Sequence, residues 1–343
     1  MRWVAAVLVL ALASCGRPVP DRDEALRRAA AFLWARQDRD GGWHSETYGL
    51  LKSGQSLTPF VLRALLDVPE SVLARPAGGV DRGVEFIRRH LDAEGALGRA
   101  DPTLLDYPNY ATALGVQALV RAGRRDEVPR MIACLRKQQF AEHLGWNEDH
   151  PAFGAWGMGG PERRPPHTGH LDLSMTRHVL EALHDAGVPA GDAVFRKAEV
   201  FLGRCRAPDG GFFFSTVIVD ANKAGKEGGT YRSYGTATAD GLLSLLALGA
   251  RPDDPRVSAA RSWLAGHHRT DFVPGFPDGL ESDWRNGMFF YYAAATARLG
   301  LATALVGRQR AEGSFRNSSF LMKEDDPLIA TSFAVSALGS TRD

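Results

Sequence analysis

The chain has 343 residues, 44% of them hydrophobic, and its 41 Lys and Arg nearly balance its 40 Asp and Glu to a net charge of +1. That balance excludes a protein held to nucleic acid by a basic surface, and the hydrophobic content excludes a disordered chain. Such a length can bury a large core.

Met1-Arg2 is followed by an apolar run from Trp3 to Ala13, too short to span a bilayer. Small residues then close the segment, the pattern of a secretory signal. Its end, Leu12-Ala13-Ser14-Cys15, resembles the bacterial lipobox. The resemblance implies a signal peptide over 1–14, lipidation of Cys15, and a linker over 15–21 that tethers residues 22–343 to a membrane of the bacterial envelope, facing an extracytoplasmic compartment. Only Cys134 and Cys205 remain, either as two buried thiols or as the disulfide that export permits.

From Asp23 onward two kinds of helical pattern alternate. Segments with one charged face are predicted at 23–38, 80–91, 126–139, 192–205, 254–267 and 301–310. Segments apolar nearly all round are predicted at 57–68, 109–122, 171–186, 234–248, 284–299 and 327–338. Six buried helices ringed by six half-exposed ones predict an all-α (α/α)6 toroid, a single closed domain without open ends to cap. Between an outer and an inner segment a turn recurs. It is clearest in Gly41-Gly42-Trp43 and Gly210-Gly211-Phe212, and eroded around Gly95, Trp146, Gly275 and Gly313. The turn aromatics Trp43, Trp146 and Phe212 are expected to staple each turn to its neighbour. The long joins all follow outer segments and so lie on one face, where binding is expected. One of them holds a predicted hairpin, Phe212–Val219 returning at Thr230–Tyr234. The inner helices open onto that face, so their N-termini suit an anionic group or a ring of capping side chains.

The repeated Gln37-Asp38-Arg39-Asp40-Gly41-Gly42-Trp43 turn resembles the prenyltransferase/squalene-oxidase repeat of squalene–hopene cyclases and of protein prenyltransferase β subunits. The resemblance implies a terpenoid cyclase-like α/α toroid with a central cavity. It does not carry over the catalytic residues. The nearest match to the cyclase Asp-x-Asp-Asp motif is Thr236-Ala237-Thr238-Ala239-Asp240, with one acid, and neither Cys134 nor Cys205 matches the zinc-binding Asp-x-Cys of the prenyltransferases.

Candidate chemistry gathers at the inner helix starts. His167, His170 and Asp172 could hold a divalent metal, act as a general acid/base cluster, or leave Asp172 as a helix cap; no other cofactor is indicated. Thr236, Asp240 and Ser244 form a polar stripe, so Asp240 either faces the cavity with a raised pKa or is satisfied by a neighbouring helix. Asn109, Tyr110, Tyr231, Arg232, Tyr234, Asp283, Trp284 and Arg285 suit the lining of a mouth that binds a glycan or peptide, with Asp283 alternatively a cap. The leading expectation is a lipid-anchored protein that holds a ligand or partner at the toroid mouth, with no nucleic-acid partner. The alternatives are an enzyme on a carbohydrate or envelope polymer, and a divergent terpenoid cyclase whose cavity would need aromatic walls.

Overall fold

A computed structural model describes residues 21–101 and 103–340. Its helices are α1 (Arg22–Trp34), α2 (Leu57–Leu66), α3 (Gly79–Arg89), α4 (Pro108–Arg121), α5 (Val128–Lys137), α6 (Leu173–Asp185), α7 (Ala193–Arg204), α8 (Gly235–Ala247), α9 (Pro255–His267), α10 (Trp284–Gly287), α11 (Phe289–Ala297) and α12 (Pro327–Ser340). The inner ring runs α2, α4, α6, α8, α11, α12 and closes with α12 packed on α2. The outer helices α1, α3, α5, α7 and α9 lie behind it, and the expected α/α toroid is the fold observed. The lipobox and Cys15 lie outside the described residues. No described helix is long and apolar enough to cross a membrane.

The toroid departs from regularity in its last third. The sixth outer segment, expected at 301–310, is only a 3-10 turn at Val306–Arg308. Gly300 at φ 80° ends the preceding helix, and Gly307 falls inside a segment too short to propagate one. The fifth inner helix breaks at Met288 between α10 and α11. The expected hairpin is shorter and later than its sequence suggests: β1 (Lys226–Glu227) pairs antiparallel with β2 (Thr230–Tyr231). Residues 213–222 form a loop instead, because Asn222 Oδ1 accepts the N–H groups of Phe214 and Ser215 and withdraws them from any ladder.

The recurring turn has a shared construction. Its glycine is left-handed, as in Gly41 at φ 90° and Gly313 at φ 97°. At both positions an added Cβ would strike the backbone of an outer helix, at Arg82 or Arg28, so only glycine fits. Two residues on, a backbone N–H donates to a threonine hydroxyl of the following inner helix: Trp43 to Thr58, Leu97 to Thr112, Trp156 to Thr176, Phe212 to Thr238 and Phe315 to Thr331, at 2.9–3.2 Å. Three glutamines tie the turns sideways. Gln37 Nε2 donates to Gly41 and Gly79, Gln139 Nε2 to Gly154 and Val194, and Gln309 Nε2 to Gly313 and Ala25. The last pair joins the final repeat to α1. This corrects the third turn: its aromatic is Trp156, not Trp146. Trp156 Nε1 donates to Leu135, as Trp43 Nε1 does to Leu33. Trp146 sits within a long insertion and donates to Arg163.

Thr176→Val should leave the buried Trp156 N–H without an acceptor, a loss of about 1–3 kcal/mol. Urea unfolding checks this, and a midpoint equal to wild type would contradict the role assigned to the threonine.

Candidate functional site

The inner helices of the toroid enclose a cavity of about 350 Å³ at their N-terminal ends. Much of its wall is apolar or aromatic, with Phe60 of α2, Leu114 of α4, Phe333 of α12 and Phe214 and Met158 from the long loops. Four inner helix N-termini around it carry carboxylates. Asp106 accepts from Ser56 N–H, Asp172 from Met175, Glu324 from Phe290 and Tyr291, and Asp326 from Leu328. Capping side chains, rather than a free anion site, therefore answer these positive helix ends.

Asp240, in the second turn of α8, lines this cavity and is 1% exposed. Its Oδ1 accepts from Arg177 Nη1 of α6 at 2.8 Å, and the Tyr291 hydroxyl of α11 donates to it at 2.8 Å. Both sequence alternatives for Asp240 therefore hold: it faces the cavity and it is paired. Arg177 also donates through Nε to Glu181, 3.1 Å away, and Glu181 accepts a second guanidinium, Arg298, at 2.7 Å. The two carboxylates respond differently. Burial would raise both, but Arg177 and Arg298 together hold Glu181 well below the usual range. At Asp240 burial wins over Arg177 and Tyr291 and pushes the carboxyl up from 3.8 to about 6. Glu181 is thus held as an anion more strongly than Asp240.

A chain of hydroxyls runs from Asp240 along the wall. Tyr291 Oη is 2.6 Å from Ser174 Oγ, which is 2.5 Å from Tyr110 Oη. Burial holds both phenols well above their ordinary pKa, so both stay protonated. His178 Nδ1 lies 2.8 Å from the Ser174 carbonyl and donates to it, which leaves Nε2 as an acceptor. Burial, then Arg177, pushes this imidazole down to about 3, so it is neutral.

The cavity gathers some of the sequence candidates and disperses the rest. Tyr110, His170, Asp172, Tyr234 and Asp240 line it. His170 Nε2 is 2.9 Å from Asp172 Oδ2, while Asp172 Oδ1 caps α6. His167 is exposed and does not join them, and no cluster with metal-ligand geometry forms among the described residues. Of the three sequence alternatives for this trio, the structure shows Asp172 as the α6 cap that also holds His170, with His167 apart from both. Asn109 is buried and donates to Gly157. Tyr231 and Arg232 sit on the hairpin, Arg232 paired with Glu227. Asp283 caps α10 and Arg285 pairs with Asp278, so neither lines the cavity. Gly41, Gly42, Trp43, Gly210, Gly211 and Phe212 belong to the structural turns. Cys134 and Cys205 are free and buried, without a disulfide.

Arg177, Glu181, Ser174 and His178 escaped the sequence reading. A signal existed. Ser174, Arg177, His178 and Glu181 fall at i, i+3, i+4 and i+7, a polar stripe on a helix otherwise buried among apolar neighbours.

No family model matches this sequence, and no curated protein matches it. Solved structures do resemble it. The type II terpene cyclase MstE from Scytonema is 15% identical with a TM-score of 0.60, over 93% of this chain and 97% of that one. It has also been solved with geranylgeranyl dihydroxybenzoate as substrate. A protein from Actinoplanes is 17% identical at TM-score 0.60, covering 94% and 99%. An unsaturated glucuronyl hydrolase specific for heparin is 11% identical at TM-score 0.60, covering 93% and 96%. At these identities the likeness shows the shared α/α-toroid fold.

Arg177→Met removes the guanidinium shared by Asp240 and Glu181 and strands buried charge. The expected loss of stability is about 3–5 kcal/mol. Chemical denaturation at neutral pH measures it, and a variant as stable as wild type would show that the network carries no such weight.

Proposed function

We propose that the protein is an enzyme that protonates an apolar, unsaturated small molecule held in the toroid cavity, as a type II terpene cyclase does. The observation that carries this reading is Asp240. It is a buried carboxyl on an aromatic-lined wall, raised to about 6 and gripped by Arg177 and Tyr291. A carboxylic acid is a weak donor to a carbon–carbon double bond unless its conjugate base is stabilised. Burial raises the fraction of Asp240 that carries a proton towards pH 6, and the two donors stabilise the carboxylate left behind. The partners that the local sequence around Asp240 lacks come from α6 and α11.

In the proposed step the Asp240 O–H bond breaks and a C–H bond forms from the π pair of the substrate. The resulting cation rests against Tyr110, Tyr291, Phe60, Phe214 and Phe333, whose π faces attract it. A second double bond of the same molecule closes a ring. The final cation loses a proton to water at the mouth, so the net reaction is an isomerisation. The Tyr110–Ser174–Tyr291 chain gives a path by which a proton returns to Asp240.

The expectation of a ligand held at the toroid mouth is thereby made more specific, and the apolar walls count against an extended glycan or peptide. The lipobox-like order of residues 12–15, with a signal peptide over 1–14 ahead of Cys15, supports a location at the bacterial envelope, close to membrane-derived apolar molecules.

Because the donor is the protonated form, its fraction is full below about pH 6 and falls tenfold per unit above it. With farnesol and geranylgeraniol as probes in D₂O, the wild type should form a cyclic isomer carrying one new C–D bond, with kcat/KM falling above about pH 6. Asp240→Asn should lower the rate by about a hundredfold or more. Conversion that survives Asp240→Asn, or product without deuterium, would contradict the assignment.

A further inference from the structure

Both non-glycine residues with positive φ among the described residues, Tyr107 at 45° and Lys323 at 58°, line this one cavity. They also meet: Lys323 Nζ lies 5.6 Å from the Tyr107 ring centre and 5.5 Å from that of Tyr48. A left-handed backbone is unfavourable for a tyrosine or a lysine, and such strain collects at ligand clamps. A second lysine lines the same cavity. Lys223 Nζ sits 3.8 Å over the Phe214 ring and 5.3 Å from Trp284.

Neither ammonium has a carboxylate within ion-pair distance among the described residues, although acids surround both. Lys323 is followed directly by Glu324, Asp325 and Asp326. Glu324 takes the N–H groups of Phe290 and Tyr291, Asp325 takes the Tyr48 hydroxyl, and Asp326 takes Ser45 and Leu328. Near Lys223, Asp172 is occupied by His170 and by the α6 cap, and Asp240 by Arg177 and Tyr291. Burial lowers the pKa of Lys223, as expected of a half-buried cation that lacks a counter-ion. Two cations without a carboxylate partner among the described residues thus stand beside aromatic rings on a mostly apolar cavity, Lys223 donating only to the Ala221 carbonyl at 3.4 Å, and each is carried by a loop of the mouth face.

We propose that Lys223 and Lys323 form an anion subsite, and that the ligand is an amphiphile with an apolar body and a carboxylate or phosphate head. The inference rests on the cavity being a small-molecule site, as above. The head is held between the two ammonium groups at the mouth while the body extends towards Asp240. Lys223 and Lys323 are positioning residues and take no part in proton transfer.

Saturated probes separate binding from reaction, because they have no double bond to protonate. Dodecanol, dodecanoate and dodecyl phosphate, each below its micelle concentration, are titrated calorimetrically into the full-length protein. Both anions should bind about tenfold or more tightly than the alcohol. The stronger of the two identifies the head as carboxylate or phosphate. Lys223→Met and Lys323→Met should each cost about tenfold in anion affinity and leave dodecanol unchanged. Lys323→Gly should raise the melting temperature, since glycine accepts φ 58° without strain, while still losing the anion preference. Equal affinities for the three probes, or lysine variants that weaken dodecanol as much as the anions, would overturn the subsite and leave the cavity reading standing. No binding of any probe would overturn both. Loss of turnover chemistry alone, with the anion preference intact, would leave the subsite and remove the role of Asp240.

Discussion

One guanidinium holds the centre of this molecule together. Arg177 projects from α6, reaches Asp240 on α8 and Glu181 one turn along its own helix, and meets the Tyr291 hydroxyl of α11 at 3.3 Å. Three inner helices are thereby linked through side chains nearly out of reach of water. Two carboxylates compete for this charge, and the second guanidinium, Arg298, decides the contest because it touches only Glu181 of the pair. Glu181 meets both guanidiniums and Asp240 only one, so burial raises Asp240 while Glu181 is held low. The chemical character of the cavity depends on that inequality.

The rest of the toroid keeps these groups in place. The inner helices present their N-termini to the cavity and their C-termini to the opposite end, where Arg63, Arg121 and Arg298 lie near the exposed carbonyls and complement the negative helix ends. Arg63 is buried there, and burial together with Arg298 and Arg121 lowers it to about 10. At the mouth, five threonine staples fix turns to inner helices, and three glutamine bridges tie turns to outer neighbours. Long loops held in this way can carry aromatic walls and lysines without collapsing into the cavity.

The architecture was legible in the sequence because its physical requirements repeat. A glycine at φ near 90° against a helix backbone tolerates no substitute, so the turn survives even where Leu97 replaces the aromatic. Where the period is interrupted the reading slipped: an insertion separates Gln139 from Gly154 and Trp156, and Trp146 stood in the wrong place. The sixth outer position was overread because the period called for a helix that Gly300 and Gly307 do not support. Among site residues, Asp240, Asp172, His170 and Tyr110 were found because polar residues at inner helix starts are visible as exceptions. Arg177 and Glu181 lie further along α6, where charges on an inner helix look like its polar face until the ring closes around them. The lysine pair was beyond reach, since Lys223 and Lys323 are a hundred residues apart in loops and only folding brings them to one cavity.

The central claim is that Asp240 holds its proton up to about pH 6, well above an ordinary aspartate, because burial outweighs its two donors. The most direct test is the titration of that carboxyl itself, by carbon-13 NMR of aspartate-labelled protein with Asp240→Asn assigning the resonance. A midpoint at about 6 is expected. A midpoint at or below the ordinary aspartate value of 3.8 would mean that Arg177 dominates, that Asp240 is a structural anion, and that the cavity binds without donating a proton.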